Sequence, residues 1–401
     1  MLDKLLPRRK RRAKARTSNE VRLQSYPPPY PDGWYRLMNA DEVRPGEARY
    51  IEALGRELVV WRSEDGAQLS AMTAFCPHVG ANLANGFVRG DRIVCPFHAW
   101  ELTGDGRVAC VPYSDATPGR VLNESFRVED VHGQLFMYHR TGGTPLSSSD
   151  EPPHPPPRIP DVDAGDFVYR GQHDAGRVRM HIIEFAENSV DFAHFEPIHS
   201  QLRVPWTSIP IPGFKIEHIA EWKLDEERPH VSYFLDEARV HAFGRPLERA
   251  GASAVATFTG PCSVVNFRFD IPDLGKMELM QTHLPVGPLE QQVNFRWFAD
   301  PKIPRLVAWY IVGNWISQWK QDIDIWENKV YLDRPMLSKD DGPVVRMRRW
   351  YRQFYSEDER PTVDPLPVRR LGTDESPPQP APTSKEPTAP PAALHASSRN
   401  T

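Results

Sequence analysis

The stretch that decides the fold reads Cys76-Pro-His78, then sixteen residues, then Cys95-Pro-Phe-His98. Each of the two short segments supplies one possible thiolate and one imidazole, and a proline after each cysteine stiffens the chain. Two cysteine–histidine pairs at this spacing indicate that two loops converge on one metal centre.

The pairing of one cysteine with one histidine in each segment separates the candidate centres. A zinc finger of the two-cysteine, two-histidine type pairs like with like. A Rieske [2Fe–2S] cluster instead needs two cysteines on one iron and two histidines on the other, which two mixed loops can provide. We therefore predict a Rieske cluster bound by Cys76, His78, Cys95 and His98. A zinc site is the alternative.

A second group of polar side chains lies in residues 184–199. A helix predicted over about 181–196 places five of them on one face: Glu184, Glu187, Asn188, Asp191 and His194. His199 follows five residues after His194, and Pro197 interrupts the helix between them, which lets His199 turn back. Two imidazoles beside a carboxylate indicate the two-His-one-carboxylate site of non-haem Fe(II), with a solvent-facing polar stripe as the alternative.

The carboxylate of that site is sought in a second predicted helix, about 305–331. Asp322 falls in the middle of its apolar face, close to Trp319 and Trp326, whereas Asp324 falls on the opposite, polar face. A carboxylate on a buried face is costly unless it is paired or binds a metal. Asp322 is therefore the predicted third ligand, and an ion pair with Lys or Arg is the alternative.

Composition bounds the class of protein. The 401 residues are 40% apolar and 25% charged, with a formal net charge of −4, which is typical of a globular chain and gives no general signature of nucleic-acid binding. Positive charge is concentrated at residues 1–16, which hold eight Lys or Arg. This predicts a solvated arm or a weak contact with an anionic membrane surface. We find neither a signal peptide nor an apolar run long enough to span a membrane, and expect a cytoplasmic protein. Cys110 and Cys262 are predicted to be buried thiols.

Turn residues, strand-like runs and proline clusters predict five segments and an α+β fold. A basic disordered arm (1–26) precedes a small all-β domain that holds the cluster (27–144). A proline-rich linker (145–160) leads to a catalytic domain of strands and two helices that holds the mono-iron (161–372). A disordered tail rich in Pro, Ala and Ser (373–401) ends the chain.

With these residues in place, the chain resembles the Rieske non-haem iron oxygenases over about residues 30–360. Within them it is most similar to the steroid-acting branch, especially cholesterol 7-desaturases, and it is also similar to the oxygenase component of 3-ketosteroid 9α-hydroxylases. A looser similarity links it to bacterial sterol C-4 demethylating oxygenases. The stretches that carry the resemblance are Cys76–Leu83, Val111–Ser114, Glu187–Ser189, Gln321–Tyr331 and Arg348–Tyr355.

The resemblance implies a helix-grip (Bet v1/START-like) catalytic domain over a deep pocket and a head-to-tail homotrimer. In that trimer Asp191 links a cluster histidine of one subunit to His194 of the next, and Asp191 and Asn188 are the predicted catalytic residues. It also implies a sterol or steroid substrate, O2, and electrons from NAD(P)H through a separate ferredoxin-type or flavin reductase. This division agrees with the absence of a dinucleotide-binding fingerprint from the sequence. We expect 7,8-desaturation of a sterol, with steroid hydroxylation as the alternative and an electron carrier with a ligand-binding module as the alternative of another class.

Overall fold

The cysteine–histidine segments lie in an all-β region built from three small antiparallel sheets. The sheet orders are β1-β11-β10, β2-β3-β4-β9 and β5-β6-β7-β8. The strands are β1 (Gly33–Asn39), β2 (Ala48–Ala53), β3 (Arg56–Arg62), β4 (Leu69–Thr73), β5 (Phe87–Arg89), β6 (Arg92–Val94), β7 (Glu101–Leu102), β8 (Val108–Cys110), β9 (Ser125–Phe126), β10 (Val128–Val131) and β11 (Gln134–His139). Predicted turns fall between strands as expected: Gly66, for example, adopts a φ of +77° between β3 and β4.

The coordinates are a computed structural model that describes residues 16–118, 120–141, 148–247, 252–271 and 273–357. The tail predicted over 373–401 lies outside these residues, as do residues 1–15 of the predicted arm. Every described residue falls within one compact unit. None of the described helices is long and apolar enough to cross a membrane.

The catalytic region is a nine-stranded antiparallel sheet packed against one long helix. The strand order is β12-β20-β19-β18-β17-β15-β14-β13, with β16 paired to β15. The strands are β12 (Val168–Val178), β13 (Gln201–Arg203), β14 (Pro210–Leu224), β15 (Val231–Ala242), β16 (Arg245–Pro246), β17 (Ala252–Thr259), β18 (Val264–Ile271), β19 (Gly275–Gly287) and β20 (Glu290–Ala299). The α-helices of the described residues are α1 (Asn19–Ser25), α2 (Pro160–Asp163), α3 (Ile183–Asn188), α4 (Arg305–Trp326) and α5 (Val344–Tyr351).

The core of the catalytic region lies between the sheet and α4. Val312, Ile316 and Trp319 of α4 belong to the same buried cluster as Val293 and Phe295 of β20. The rings of Trp319 and Phe295 meet edge to face with their centroids 5.3 Å apart. A long helix on an antiparallel sheet agrees with the α+β class predicted from the sequence.

The two regions share buried surface. Ile182 and Leu284 of the catalytic region pack in one apolar cluster with Leu37, Leu135 and Met137 of the small sheets. The catalytic sheet therefore holds the cluster-bearing region in place through apolar burial as well as through the covalent connection.

The single helix predicted over about 181–196 is wrong in its continuity. Helix α3 ends at Asn188, and Asp191 leaves the helical region with φ −90° and ψ 81°. A 3₁₀ turn (Phe192–His194) and a π turn (Phe195–His199) follow. Proline at position 197 has no amide hydrogen to donate, which favours this irregular backbone over a continued α-helix.

The arm predicted to be disordered over 1–26 is ordered in its described part. Helix α1 begins after Ser18, whose side chain accepts from the amide of Val21. Arg22 is fully buried and donates to the carbonyls of Trp326 and Lys329, at 2.6 and 3.1 Å. These two carbonyls lie at the last residue of α4 and three residues beyond it, where a cation also meets the negative end of the helix dipole.

The described part of the predicted linker also packs onto the fold. The backbone carbonyl of His154 accepts from the Trp34 indole at 2.9 Å, and the His154 ring stacks on His230 with centroids 4.0 Å apart. Ile159 is fully buried. The described part of the proline-rich connector therefore packs against both regions and is not a free spacer.

Candidate active site

The two cysteine–histidine loops are built in the same way. In each, the cysteine amide donates to the carbonyl five residues on, at 2.8 Å for both Cys76 and Cys95. In each, the cysteine carbonyl accepts from the amide four residues on, at 2.9 and 3.1 Å respectively. The residue at that fourth position has a left-handed backbone in both loops, Gly80 at φ +80° and Ala99 at φ +56°. Two equivalent turns thus present one thiol and one imidazole each at the same end of the small sheets.

The four side chains divide by burial. Cys76 and Cys95 are 3% and 2% exposed, whereas His78 is exposed and His98 is half-buried, with the centroids of the two imidazole rings 4.7 Å apart. Burial raises the pKa of the Cys76 thiol to about 11, so this sulfur becomes a thiolate only where a bound metal ion replaces its proton. The Nδ1 atom of His98 is buried and has no hydrogen-bond partner among the described residues, which leaves it available as a ligand. The donor set fits a [2Fe–2S] cluster.

An aromatic support beside the histidines was missed in the sequence. Trp100 stacks on the His78 ring at 4.5 Å and within 6° of parallel. Its indole N–H donates to the Tyr113 hydroxyl at 2.8 Å. A tryptophan two residues after His98 was the available signal. The stack restricts the rotation of an imidazole that lies at the protein surface.

The second predicted site also comes together. One ligand atom from each of His194, His199 and Asp322 can be chosen so that all three lie within 4.8 Å of one another. The Nε2 atom of His199 is 3.2 Å from Oδ1 of Asp322, and the two imidazole centroids are 5.0 Å apart. Asp322 is buried on α4 whereas Asp324 is exposed, as the helix periodicity predicts.

The irregular backbone after α3 aims the two imidazoles. The Nδ1–H of His194 donates to the backbone carbonyl of Asp191, which turns Nε2 toward Asp322. Burial lowers the pKa of His194 and so favours the neutral imidazole, which is the form that binds a metal. The π turn carries His199 back to the same point. Two nitrogens and one carboxylate on one side form a donor set that fits Fe(II) and leaves other coordination positions open.

Asn188 and Asp191 occupy the edge of this site. The Nδ2 atom of Asn188 is 3.3 Å from Nε2 of His194 and 3.4 Å from Oδ2 of Asp322. Asp191 is half-buried, and its carboxylate lines a recess of about 250 Å³ that lies beside Asn188. The backbone of Asp191 thus orients His194, and its side chain faces a recess next to the triad.

Glu184 and Glu187, placed by the sequence on the same polar face as the ligands, belong instead to a buried ion network. The ammonium of Lys329 lies 2.7 Å from a Glu184 oxygen and 3.4 Å from one of Glu187. The Arg348 guanidinium donates to the other Glu187 oxygen at 2.6 Å. Tyr26 also donates to Glu184. This network fixes α3 against the end of α4 and against α5, so neither glutamate is available to a metal.

A cavity of about 540 Å³ opens against the triad. Its volume lies within the range of ligand pockets, roughly 300–1,000 Å³. Phenylalanine, tryptophan and aliphatic side chains from α4 and from strands β14, β15, β17 and β18 supply most of the wall. The arrangement can hold an apolar molecule with one of its C–H bonds beside the metal position.

Comparisons with known proteins cover both regions of the chain. A model of the Rieske [2Fe-2S] domain matches residues 33–126, and a model of the 3-ketosteroid 9alpha-hydroxylase C-terminal domain matches residues 147–355. Cholesterol 7-desaturase nvd of Xenopus laevis is 32% identical over 361 residues, which are 86% of this chain and 77% of that protein. The probable 3-ketosteroid-9-alpha-monooxygenase, oxygenase component, of Rhodococcus rhodochrous is 29% identical over 362 residues, 86% of each chain.

Solved structures share the fold at lower identity. The QL mutant of NdmA from Pseudomonas putida CBB5, with caffeine, is 18% identical with a TM-score of 0.58 over 80% of this chain and 89% of that chain. Apo dicamba monooxygenase is 16% identical with a TM-score of 0.53 over 80% and 96%. The chain belongs to the Rieske non-haem iron oxygenases, oxidoreductases that combine a [2Fe–2S] cluster with a mononuclear iron, and its catalytic domain is of the 3-ketosteroid 9α-hydroxylase type.

Proposed function

We propose that this protein oxidises a sterol, most simply by removing two hydrogens to form the 7,8 double bond. The observation that carries the proposal is the apolar cavity of about 540 Å³ that ends at His194, His199 and Asp322. A rigid, mostly hydrocarbon substrate matches such a wall, because burial of apolar surface supplies most of its binding free energy.

The residues that hold the mononuclear iron in this proposal are His194, His199 and Asp322. An Fe(II) ion held there would supply O2 activation, with electrons from the [2Fe–2S] cluster, for the removal of hydrogen from a nearby C–H bond. The chain supplies the rest: Phe185 and Trp319 shape the wall beside the triad and exclude water, and Asn188 holds the open edge of the site. The position of the substrate's C–H bond against the metal decides between a new double bond and an alcohol.

The choice of substrate rests on the relatives. Proteins named cholesterol 7-desaturase and 3-ketosteroid-9-alpha-monooxygenase are similar to this chain over more than four fifths of its length. Desaturation of a sterol is the first proposal and hydroxylation of a 3-ketosteroid, or sterol C-4 demethylation, is the second. NAD(P)H is oxidised on a separate reductase in each case.

Transfer of electrons between subunits completes the proposal. In a head-to-tail homotrimer, the Asp191 carboxylate links His194 of one subunit to a cluster histidine of the partner. Its place in a half-buried recess beside the triad supports this role. The protein stays in the cytoplasm in this proposal, and its basic residues 1–16 make a weak contact with an anionic membrane, where sterols reside.

An iron count tests the site directly. The wild-type protein is expected to hold about three irons per chain, two in the cluster and one at the triad. His194→Ala is expected to lose one iron and all turnover while keeping the visible spectrum of the cluster. The matched control is His241→Ala, a histidine outside the cavity that pairs with Glu217 at 3.1 Å, and it is expected to keep all three irons. Two irons in the wild type, with turnover absent, would favour the electron carrier with a ligand-binding module.

Turnover identifies the reaction. The reduced protein is incubated with a reductase, O2 and either cholesterol or a 3-ketosteroid, and the product is analysed by mass. Loss of two hydrogens from cholesterol supports the desaturase, and gain of one oxygen supports a hydroxylase. If neither steroid is oxidised while the protein holds its full iron and its cluster is reduced, the proposed substrate class is wrong.

A further inference from the structure

The apolar cavity contains one polar pair that the metal site does not use. His218 lies on β14 and Asp236 on β15, and both side chains line the cavity. The two strands pair in a register that sets His218 opposite Ala238 and Asp236 opposite Ala220, so the two residues are diagonal neighbours on one face. The Nδ1 atom of His218 is 2.8 Å from Oδ2 of Asp236.

This pair is enclosed but only half satisfied. The side chains of His218 and Asp236 are 12% and 13% exposed. Nε2 of the imidazole and Oδ1 of the carboxylate are buried and have no hydrogen-bond partner among the described residues. A buried polar atom without a partner is costly, so this pair favours a polar group among the contents of the cavity.

The chemistry of the pair selects that group. Since a carboxylate can only accept, Nδ1 of His218 carries the shared proton. In this tautomer Nε2 of His218 is an acceptor next to the second acceptor, Oδ1 of Asp236. An alcohol can donate to either atom, whereas a ketone can only accept.

We propose that His218 and Asp236 form a polar subsite that binds a hydroxyl group of the substrate inside the otherwise apolar cavity. The inference rests on the proposed function, since it takes the cavity as the steroid site, and it specifies an alcohol over a ketone. It would explain how a site with few polar contacts tells a hydroxysterol from a ketosteroid of the same carbon skeleton.

The position of the subsite ties the hydroxyl to the reacting carbon. The Phe195 ring lies between the two sites, 4.4 Å from the His194 ring and 4.9 Å from the His218 ring by centroid. A hydroxyl held at His218 therefore lies two ring contacts from an iron ligand. In a rigid polycyclic substrate, that fixed separation selects which C–H bond faces the metal.

Equilibrium binding tests the subsite without any need for turnover. Trp315 and Trp319 line the cavity, so quenching of their fluorescence reports occupancy. The full chain, with its cluster and iron, is titrated with cholesterol, with 5-cholestene, which lacks the hydroxyl, and with cholest-4-en-3-one. We expect cholesterol to bind about 10 to 100 times more tightly than 5-cholestene, and more tightly than the ketone.

Variants assign the preference to the pair. His218→Phe keeps an aromatic ring and is expected to bring the ratio of the cholestene and cholesterol Kd values close to one. His218→Gln keeps a hydrogen-bonding group and is expected to retain part of the preference, and Asp236→Asn to reduce it. An unchanged 5-cholestene affinity and cluster spectrum show that the cavity of each variant is intact. The control is Val240→Ala, at an apolar residue that lines the cavity, and it is expected to weaken the binding of all three steroids alike.

Each result separates the subsite from the proposed function. A wild-type protein that binds the alcohol no better than 5-cholestene, or binds the ketone as tightly as the alcohol, overturns the subsite, and this comparison needs no variant. An unchanged ratio in His218→Phe also overturns it. A protein that prefers the alcohol but oxidises no sterol keeps the subsite and loses the proposed reaction. A protein that binds none of the three sterols loses both.

Discussion

Removal of the Arg348 charge should destabilise the catalytic region more than removal of any exposed arginine. Arg348 and Glu187 are 5% and 11% exposed at their side chains and lie 2.6 Å apart. Arg348→Met leaves Glu187 buried with only the more distant Lys329, at 3.4 Å. It also removes a 2.6 Å hydrogen bond to the carbonyl of Leu332.

Loss of one partner of a buried pair costs roughly 3–5 kcal/mol, since the other charge stays in the interior without its closest partner. For a domain of 150–250 residues, that corresponds to a fall in Tm of about 6 to 20 °C. The double variant Glu187→Gln/Arg348→Met removes both charges, and Lys329 keeps its 2.7 Å contact with Glu184. We therefore expect the double variant to be more stable than Arg348→Met alone.

The assay is thermal and urea unfolding followed by circular dichroism, with Arg239→Met as the matched control. Arg239 pairs with Glu237 at 2.9 Å, but both side chains are about half exposed, so its loss should cost about 1 kcal/mol or less. The reasoning is refuted if Arg348→Met unfolds at the same temperature as Arg239→Met, or if the double variant is less stable than the single one.

Three further predictions concern the cluster, acid stability and electron transfer. Gly86→Ala would place its Cβ 1.9 Å from the carbonyl oxygen of Val94 and should lower the cluster content measured by visible absorption. Gly80→Ala should keep the cluster, because its Cβ meets nothing within 4 Å and Ala99 already adopts that conformation in the other loop; equal cluster content in the two variants would contradict this. Burial lowers the pKa of His139 from about 6.5 to about 4, and it lowers the pKa of His181 and of His283 to about 3. Below pH 6.5 these histidines bind fewer protons in the folded state than in the unfolded state. The free energy of unfolding is therefore highest above pH 6.5 and falls as the pH drops toward the folded-state pKa values, by ~1.4 kcal/mol per pH unit for each histidine. A free energy of unfolding, measured in urea, that stays constant from pH 7 to 5 would disprove this prediction. Asp191→Asn should retain about three irons yet slow the oxidation of the reduced cluster under single turnover, and a wild-type rate would exclude its role between subunits.

The cluster-binding loops were predictable because their chemistry is local. Cys76 and His78 are two residues apart, and Cys95 and His98 three, so the mixed pairs are visible in the order of residues. The buried face of α4 was equally accessible. A regular helix repeats every 3.6 residues, and periodicity alone therefore separates the buried Asp322 from the exposed Asp324.

Periodicity failed where the backbone is irregular. The rule for a regular helix put Glu184, Glu187 and His194 on one face, but the chain leaves the helical region at Asp191, and only His194 reaches the metal position. No local pattern reveals that Lys329 and Arg348, which are more than 140 residues away, form ion pairs with the two glutamates. The order of the segment around Arg22 also depends on distant groups, since its partners are carbonyls at and just after the C-terminal end of α4.

The amino-acid order by itself determined the kind of metal chemistry, because ligand identity and spacing are properties of short segments. Only the tertiary structure showed that Glu184 and Glu187 pair with Lys329 and Arg348, and how the cavity wall is composed. The pairing of His218 with Asp236 arises from the register of two strands, and burial then leaves one atom of each unsatisfied. A buried polar atom without a partner arises only when separate parts of the chain pack together and exclude water, so the order of residues alone does not reveal it.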